Sequence, residues 1–337
     1  MQRGLMMSVG RIAIWAGAAL LALVVVAVSA IFLVFPRVSA APDLKLAATP
    51  EQVARGDYLF NHQFACVGCH TPELEPHRFS RLFDKARLGA GRHMGGPADG
   101  MPAEIYAPNI TPTALGGWTD GEIYRAIVSG VDKDGRPLFA MMPYPSSYRI
   151  MDPEDVKALV AYLRTLAPQP VTLPAMQLPM PIPIAMRFVA KDPAPETRPD
   201  GKDEVALGRY LAITGSCFEC HTKRNDRGEP AGTPYAGGNV FALPAGGVAR
   251  SANLTPDAET GLGNMTRAAF IDRFRSRTPE EMAKIAPEAG DMDTEMPWTA
   301  YSGMTDADLG AIYAYLRTLP PAHAAVVTYE AAPEKQR

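Results

Sequence analysis

Apolar positions are spread unevenly along the chain, and each distribution predicts a different element. Residues 12–35, IAIWAGAALLALVVVAVSAIFLVF, run for 24 positions without a charge. A helix of that length reaches about 36 Å, enough to cross a hydrocarbon core of ~30 Å. The segment therefore predicts a transmembrane anchor. Arg3 and Arg11 precede it, so the positive-inside rule puts residues 1–11 in the cytoplasm and the bulk of the chain outside. Val38-Ser39-Ala40 before Ala41 has the small-residue form of a cleavage site. Cleavable apolar regions run only ~7–15 residues, however, and the length here favours a retained, single-pass anchor.

Beyond a linker at 36–50 the pattern becomes helical and repeats. VKALVAYLRTL (156–166) and LGAIYAYLRTL (309–319) place Val156, Leu159, Val160 and Leu163, then Leu309, Ile312, Tyr313 and Leu316, at helical spacing. Asp152 and Thr305 stand as N-caps, each with an acid three positions on (Asp155, Asp308), which predicts a carboxylate form of the capping box. Thr49-Pro50-Glu51 predicts another helix start, with proline at the first helical position. Four landmarks recur in the same order: Gly56/Tyr58 and Gly208/Tyr210; Cys66-Val67-Gly68-Cys69-His70 and Cys217-Phe218-Glu219-Cys220-His221; Asn109-Ile110-Thr111-Pro112 and Asn253-Leu254-Thr255-Pro256; Met142-Pro143-Tyr144 and Met296-Pro297-Trp298. Tyr148 and Tyr301 follow the last pair. Residues 51–170 and 201–321 are therefore read as two copies of one domain. Long alternating β-branched runs are absent, so the expected class is all-α. Residues 167–200 hold nine prolines, and 171–200 is expected to be an extended linker that can pack against a domain through Met176, Met180 and Ile182; 322–337 is expected to be a loose tail.

Charge narrows the partners. The first repeat has 12 basic and 14 acidic residues, the second 12 and 16, and the whole chain is −3. Neither repeat has the basic excess that nucleic-acid binding needs.

All four cysteines lie in the two C-x-x-C-H motifs, so no disulfide framework is left over. Two thiols at this spacing can add to the vinyl groups of a haem while the adjacent imidazole sits under the iron. Cys66, Cys69, Cys217 and Cys220 are thus the expected thioether residues of two covalently bound haem c groups, with His70 and His221 as proximal ligands. A zinc site would have to pool ligands from both repeats, and a thioredoxin-like dithiol would need a βαβ context that is missing.

The sixth ligand decides what such an iron does. Met142 lies 72 residues after His70 and Met296 lies 75 after His221, each before a proline that stiffens its loop. These two are the expected axial sulfurs, with Met141 and Met292 as rivals. His62, His77, His93 and His323 are expected to be surface or packing residues, with His77 or His93 as the alternative sixth ligand of the first repeat. Trp118 could bind a haem propionate or pack in the core. Glu288, Asp291, Asp293 and Glu295 form either a solvated loop or an acidic docking patch.

CVGCH and CFECH, with NITP/NLTP and MPY/MPW, resemble class I cytochrome c domains. More narrowly, Gly237-Gly238, Asn253 to Asp257 and Glu259-Thr260-Gly261 are similar to the cytochrome subunits of periplasmic alcohol and aldehyde dehydrogenases. The first repeat departs from that pattern at Thr113-Ala114-Leu115-Gly116, and the chain has two haem motifs where such subunits often have three. The resemblance covers roughly residues 50–320. It implies a small helical fold around each haem and His/Met ligation. It also implies a non-enzymatic electron-transfer role at the bacterial inner membrane, with the haem domains in the periplasm. The expected donor is a periplasmic dehydrogenase; the acceptor is quinone, an oxidase or another cytochrome. A di-haem peroxidase and a haem subunit of a terminal oxidase complex are the alternatives.

Overall fold

A computed structural model describes residues 2–74, 81–225, 228–243, 247–285 and 294–331. His77, Met292, Glu288, Asp291 and Asp293 lie outside these residues, as does the end of the tail.

The first helix, α1 (Gln2–Val34), contains the one described segment long and apolar enough to cross a membrane, Arg11–Val34, and none of that segment is buried against the rest of the chain. The first helical unit follows as α2 (Pro50–Tyr58), α3 (Val67–His70), α4 (Pro112–Leu115), α5 (Asp120–Ser129) and α6 (Pro153–Thr165). After α7 (Ile182–Val189) come α8 (Glu204–Thr214), α9 (Cys217–His221), α10 (Arg267–Arg275), α11 (Pro279–Met282), α12 (Trp298–Tyr301) and α13 (Asp306–Leu316). The helix starts follow the predicted caps. Thr49 accepts from the Gln52 amide, and the Gln52 side chain accepts back from Thr49 N–H.

The two units are built alike. In each, the opening helix crosses the closing helix, α2 on α6 and α8 on α13. The Gly-x-Tyr glycines allow the contact: a Cβ on Gly56 would lie 2.1 Å from the Ala158 carbonyl oxygen, and one on Gly208 would lie 1.8 Å from that of Ala311. Around the first crossing Leu59, Phe60, Val156 and Val160 are fully buried; around the second, Leu211 and Leu309 are.

The capping-box expectation for α6 and α13 is corrected. Asp152 and Thr305 do cap, accepting from Glu154 N–H (2.8 Å) and Asp308 N–H (3.1 Å). The acids at the third position do not turn back. Asp155 takes a bidentate pair from Arg55 (2.8 and 2.9 Å) and Asp308 takes Arg198 (3.0 Å). Both acids also meet the tyrosine of the opposite unit. Tyr58 donates to Asp308 (2.6 Å) and accepts from Thr305 N–H (3.2 Å). Tyr210 accepts from Asp152 N–H (2.9 Å) and lies 3.5 Å from Asp155. Each Gly-x-Tyr motif thus packs its own unit with the glycine and ties the other with the tyrosine. Burial, then the facing aspartate, pushes the Tyr58 phenol above its usual range, so it stays a donor.

Three expectations on class and connections change. The fold is mostly helical but not all-α. Short antiparallel strands β1 (Arg92–Gly95) and β2 (Ile105–Ala107) pair in the first unit, and β3 (Val240–Ala242), β4 (Val248–Arg250) and β5 (Tyr329–Glu330) pair in the second. Strands of two to four residues are too short to show an alternating pattern. The expected linker contains α7, and its later part is hydrogen-bonded along the first unit through Ala194 to Arg149 and Glu196 to Ile150. The expected loose tail supplies β5, with Glu330 paired to Arg250.

Candidate functional site

On one turn of helix the two cysteines of C-x-x-C sit three positions apart and share a face. Cys66 caps α3 and Cys217 opens α9, so each histidine follows at the end of the same turn. His70 Nδ1 lies 2.8 Å from the Pro108 carbonyl oxygen, and His221 Nδ1 lies 2.8 Å from that of Ala252. A carbonyl oxygen only accepts, so in both rings Nδ1 carries the proton and Nε2 is left with a free lone pair. That is the tautomer an iron ligand needs, fixed by the backbone carbonyl that accepts from Nδ1. Burial pushes both imidazoles below their usual pKa, outweighing the carbonyl, and keeps them neutral.

The third landmark explains where those carbonyls come from. Pro108 immediately precedes Asn109, and Ala252 precedes Asn253. Asn109 Oδ1 accepts from the Thr111 amide (2.9 Å) and hydroxyl (2.8 Å), while its Nδ2 donates to the carbonyls of Gln169 and Val171 beyond α6. Asn253 repeats this with Thr255 and donates to the Ala322 carbonyl beyond α13. The Asn-x-Thr-Pro segment clamps the acceptor loop to the end of the closing helix. The strands missed in the sequence serve the same end: β2 stops one residue before Pro108, and β4 stops two before Ala252.

The fourth landmark is a turn. Tyr144 N–H donates to the Met142 carbonyl and Trp298 N–H to that of Met296, both at 2.8 Å, with proline between. This i to i+2 bond is a γ-turn, and proline's fixed φ suits its centre. Met142 and Met296 are half-buried at the edges of the two cores, whereas Met141 is exposed. His93 is engaged on the surface with Glu104 (2.7 Å) and Tyr106. His62 sits between the units, its Nδ1 2.9 Å from the Ala300 carbonyl oxygen. His323 lies at the surface near Asp257 (3.6 Å).

The residues present fit haem c and not the alternatives. Cys69 and Cys220 are exposed and Cys66 and Cys217 half-buried, all unpaired. The surrounding protein still desolvates their sulfurs, pushing Cys66 and Cys217 up to about 12 and Cys220 up to about 11, with the partner thiol adding for Cys66 and Cys217. A redox dithiol needs the opposite shift; a thioether has no proton to lose. Among the described residues no three His, Cys, Asp or Glu side chains gather as a zinc cage would require. The buried indole N–H of Trp298 has no partner among the described residues, which suits a cofactor carboxylate. Trp118, the indole singled out by sequence, packs on the first core instead. Trp298 was marked only as part of Met-Pro-Trp, and nothing local announces its orphaned nitrogen.

The structure also brings the two motifs together. Burial drives the Tyr301 phenol well above its usual pKa, and the thiols of Cys217, Cys220, Cys69 and Cys66 all add to that push. Tyr148 is buried beside Cys66, Cys69 and Tyr301. Tyr148 donates to the Phe64 carbonyl (3.1 Å) and Tyr301 to that of Gly215 (2.7 Å), each just before its own C-x-x-C. Glu295, expected in a solvated loop or an acidic docking patch, pairs with Arg81 across the two units.

Known proteins share much of this sequence. Residues 53–167 match the cytochrome c family model. The chain is 31% identical over 299 residues to the cytochrome c subunit of alcohol dehydrogenase (quinone) from Gluconacetobacter polyoxogenes, covering 82% of this chain and 58% of that one. It is 28% identical over 281 residues to the fructose dehydrogenase cytochrome subunit of Gluconobacter japonicus, covering 80% and 52%. A diheme cytochrome c-type protein of Cereibacter sphaeroides is 29% identical over 288 residues, covering 77% of this chain and 92% of that one. The chain spans little more than half the length of the two dehydrogenase subunits. Its two Cys-x-x-Cys pairs are consistent with two covalently bound haem c groups, and over about four fifths of its length the chain is similar to cytochrome c subunits of dehydrogenases.

Proposed function

We propose that residues 51–170 and 201–321 are two class I cytochrome c domains that pass single electrons from a periplasmic dehydrogenase to quinone, an oxidase or another cytochrome. The bound haem iron would supply a one-electron couple whose potential follows from its ligands and burial. Cys66, Cys69, Cys217 and Cys220 hold the two groups as thioethers. His70 and His221 ligate through Nε2, held by the Pro108 and Ala252 carbonyls. Met142 and Met296 would supply the remaining ligands, and their soft sulfur would favour the ferrous state. The helix α1 keeps the domains at the periplasmic face of the inner membrane.

The observation that carries this reading is that the two units are joined beside their C-x-x-C-H and Met-Pro segments: Arg81 pairs with Glu295, Thr299 donates to the Arg81 carbonyl (2.6 Å), and His62 Nδ1 lies 2.9 Å from the Ala300 carbonyl oxygen. Two attachment sites on units joined in this way offer electrons a path from one to the other, whereas a di-haem peroxidase needs one iron that can shed its sixth ligand. Potentiometric titration of the detergent-solubilised chain tests it. Two one-electron waves are expected, with a dehydrogenase copurifying in mild detergent. A chain lacking a sharp reduced α-band, or turning over peroxide, would overturn the assignment.

The sixth ligands have their own test. Met142→Ala and Met296→Ala are each expected to abolish half of the charge-transfer absorption that thioether sulfur gives with ferric iron. Each lowers the potential of one wave and leaves the other. Met141→Ala, at an exposed side chain, is expected to change neither; if it does, the ligand in the first domain is Met141.

A further inference from the structure

The helix α7 reads IPIAMRFV, apolar all round except for Arg187. One side is used by the protein: Met186 and Ala190 are buried, and Val189 packs with Val38 on the first core. The other side is not. Phe188 is 46% exposed, and Met180, just before the helix, is 62% exposed. A helix apolar on both sides needs a second apolar medium.

The position of α7 identifies that medium. It is seated on the final turn of α1, where the Phe188 and Phe35 rings lie 4.6 Å apart. Arg187 lies 4.1 Å over the Phe32 ring and donates to the Phe32 and Phe35 carbonyl oxygens. These are the acceptors a helix C-terminus leaves unpaired, so the one charge on α7 is spent on the end of the span. Leu33 and Val34 beside it are 86% and 46% exposed. A span of 24 residues covers about 36 Å against ~30 Å of hydrocarbon, so its last turn stands at the headgroup boundary. Whatever packs on that turn occupies the same layer. Arg37 and Lys191 flank it as exposed cations, suited to anionic headgroups.

We propose that α7, with Met180 before it, lies in the outer lipid surface, so that Met180 and Phe188 enter the acyl boundary and hold the first haem domain against the membrane. This rests on α1 being a retained anchor. The partner is the bilayer itself, and the unusual apolar linker between the two units is what reaches it.

Nitroxide labels on Phe188→Cys and Met180→Cys test it, in the full chain in phosphatidylcholine–phosphatidylglycerol vesicles. Lys202→Cys serves as the water reference and Val24→Cys as the bilayer reference; the wild-type chain supplies the blank for the native cysteines. The ratio of collisions with oxygen to collisions with a water-soluble nickel chelate is expected to be roughly tenfold higher at 180 and 188 than at 202, as for groups sunk ~5–10 Å into the acyl boundary. A ratio equal to that at 202, or exclusion of both reagents, overturns the proposal while Val24 still reports lipid. A water-like Val24 overturns the anchor as well.

Discussion

Gly208→Ala is expected to lower the melting temperature of the holoprotein by about 10 °C, and Gly56→Ala by a similar amount. The sign is not obvious from propensity, because alanine is the better helix former by ~1 kcal/mol. Packing reverses it. The new Cβ at 208 would lie 1.8 Å from the Ala311 carbonyl oxygen, 2.4 Å from the Ala311 carbonyl carbon and 2.9 Å from Tyr315 Cβ. The first two are backbone atoms of α13 and cannot rotate away. The helices α8 and α13 must separate, opening a core in which Leu211 and Leu309 are fully buried. Overpacking of this kind costs ~3 kcal/mol or more, and each kcal/mol moves the midpoint by ~4 °C in a domain of this size. Gly117 is the control, with nothing within 4 Å of its added Cβ and no positive φ. Thermal unfolding followed by circular dichroism reads the result. A Gly208→Ala chain melting within a degree of wild type would mean the crossing is looser than described.

How much of this was legible in the sequence depended on the range of the interaction. C-x-x-C-H, the N-caps at Thr49, Asp152 and Thr305, and the apolar stripe of α6 are local signals, and each maps to a local geometry. The repeat landmarks were legible as positions but not as roles. Asn109 and Asn253 bond forward to segments about 60 residues on, and Tyr58 reaches Asp308 250 residues away. No periodicity encodes such a partner. Asp155 and Asp308 illustrate the error this causes: a cap followed three positions later by an acid fits a local box, but in the fold Asp155 pairs with Arg55, Asp308 with Arg198, and each faces a tyrosine of the other unit. The short strands were illegible for a different reason. They exist to satisfy the backbone of the loop leading to the histidine's carbonyl, and a three-residue pairing needs no alternating side chains. The α7 segment was hidden by its prolines, three of which (Pro179, Pro181, Pro183) stand at or just before its first turn, where proline is tolerated.

Replacing Cys217 and Cys220 together by alanine is expected to halve the haem content, from two per chain to one, and to remove one of the two potentiometric waves. The covalent bonds carry the attachment: the second core around Leu211, Leu309 and Leu316 is small, and a single imidazole is a weak hold. His221→Ala separates the two contributions. It leaves both thioethers and therefore the pigment, but removes the Nε2 ligand that the Ala252 carbonyl orients. Extraction into acidified acetone distinguishes the variants. The double cysteine variant releases any residual second haem, while His221→Ala retains two with altered ligation. The surviving wave of the cysteine variant should also move. The two units are joined beside their attachment sites through Arg81 and Glu295 and through His62 against the Ala300 carbonyl, so emptying one side admits water next to the other. Solvent favours the charged ferric state, and the remaining potential is expected to fall. If that wave stays where it was, the two sites are insulated from each other, and the contact between the units does not couple them.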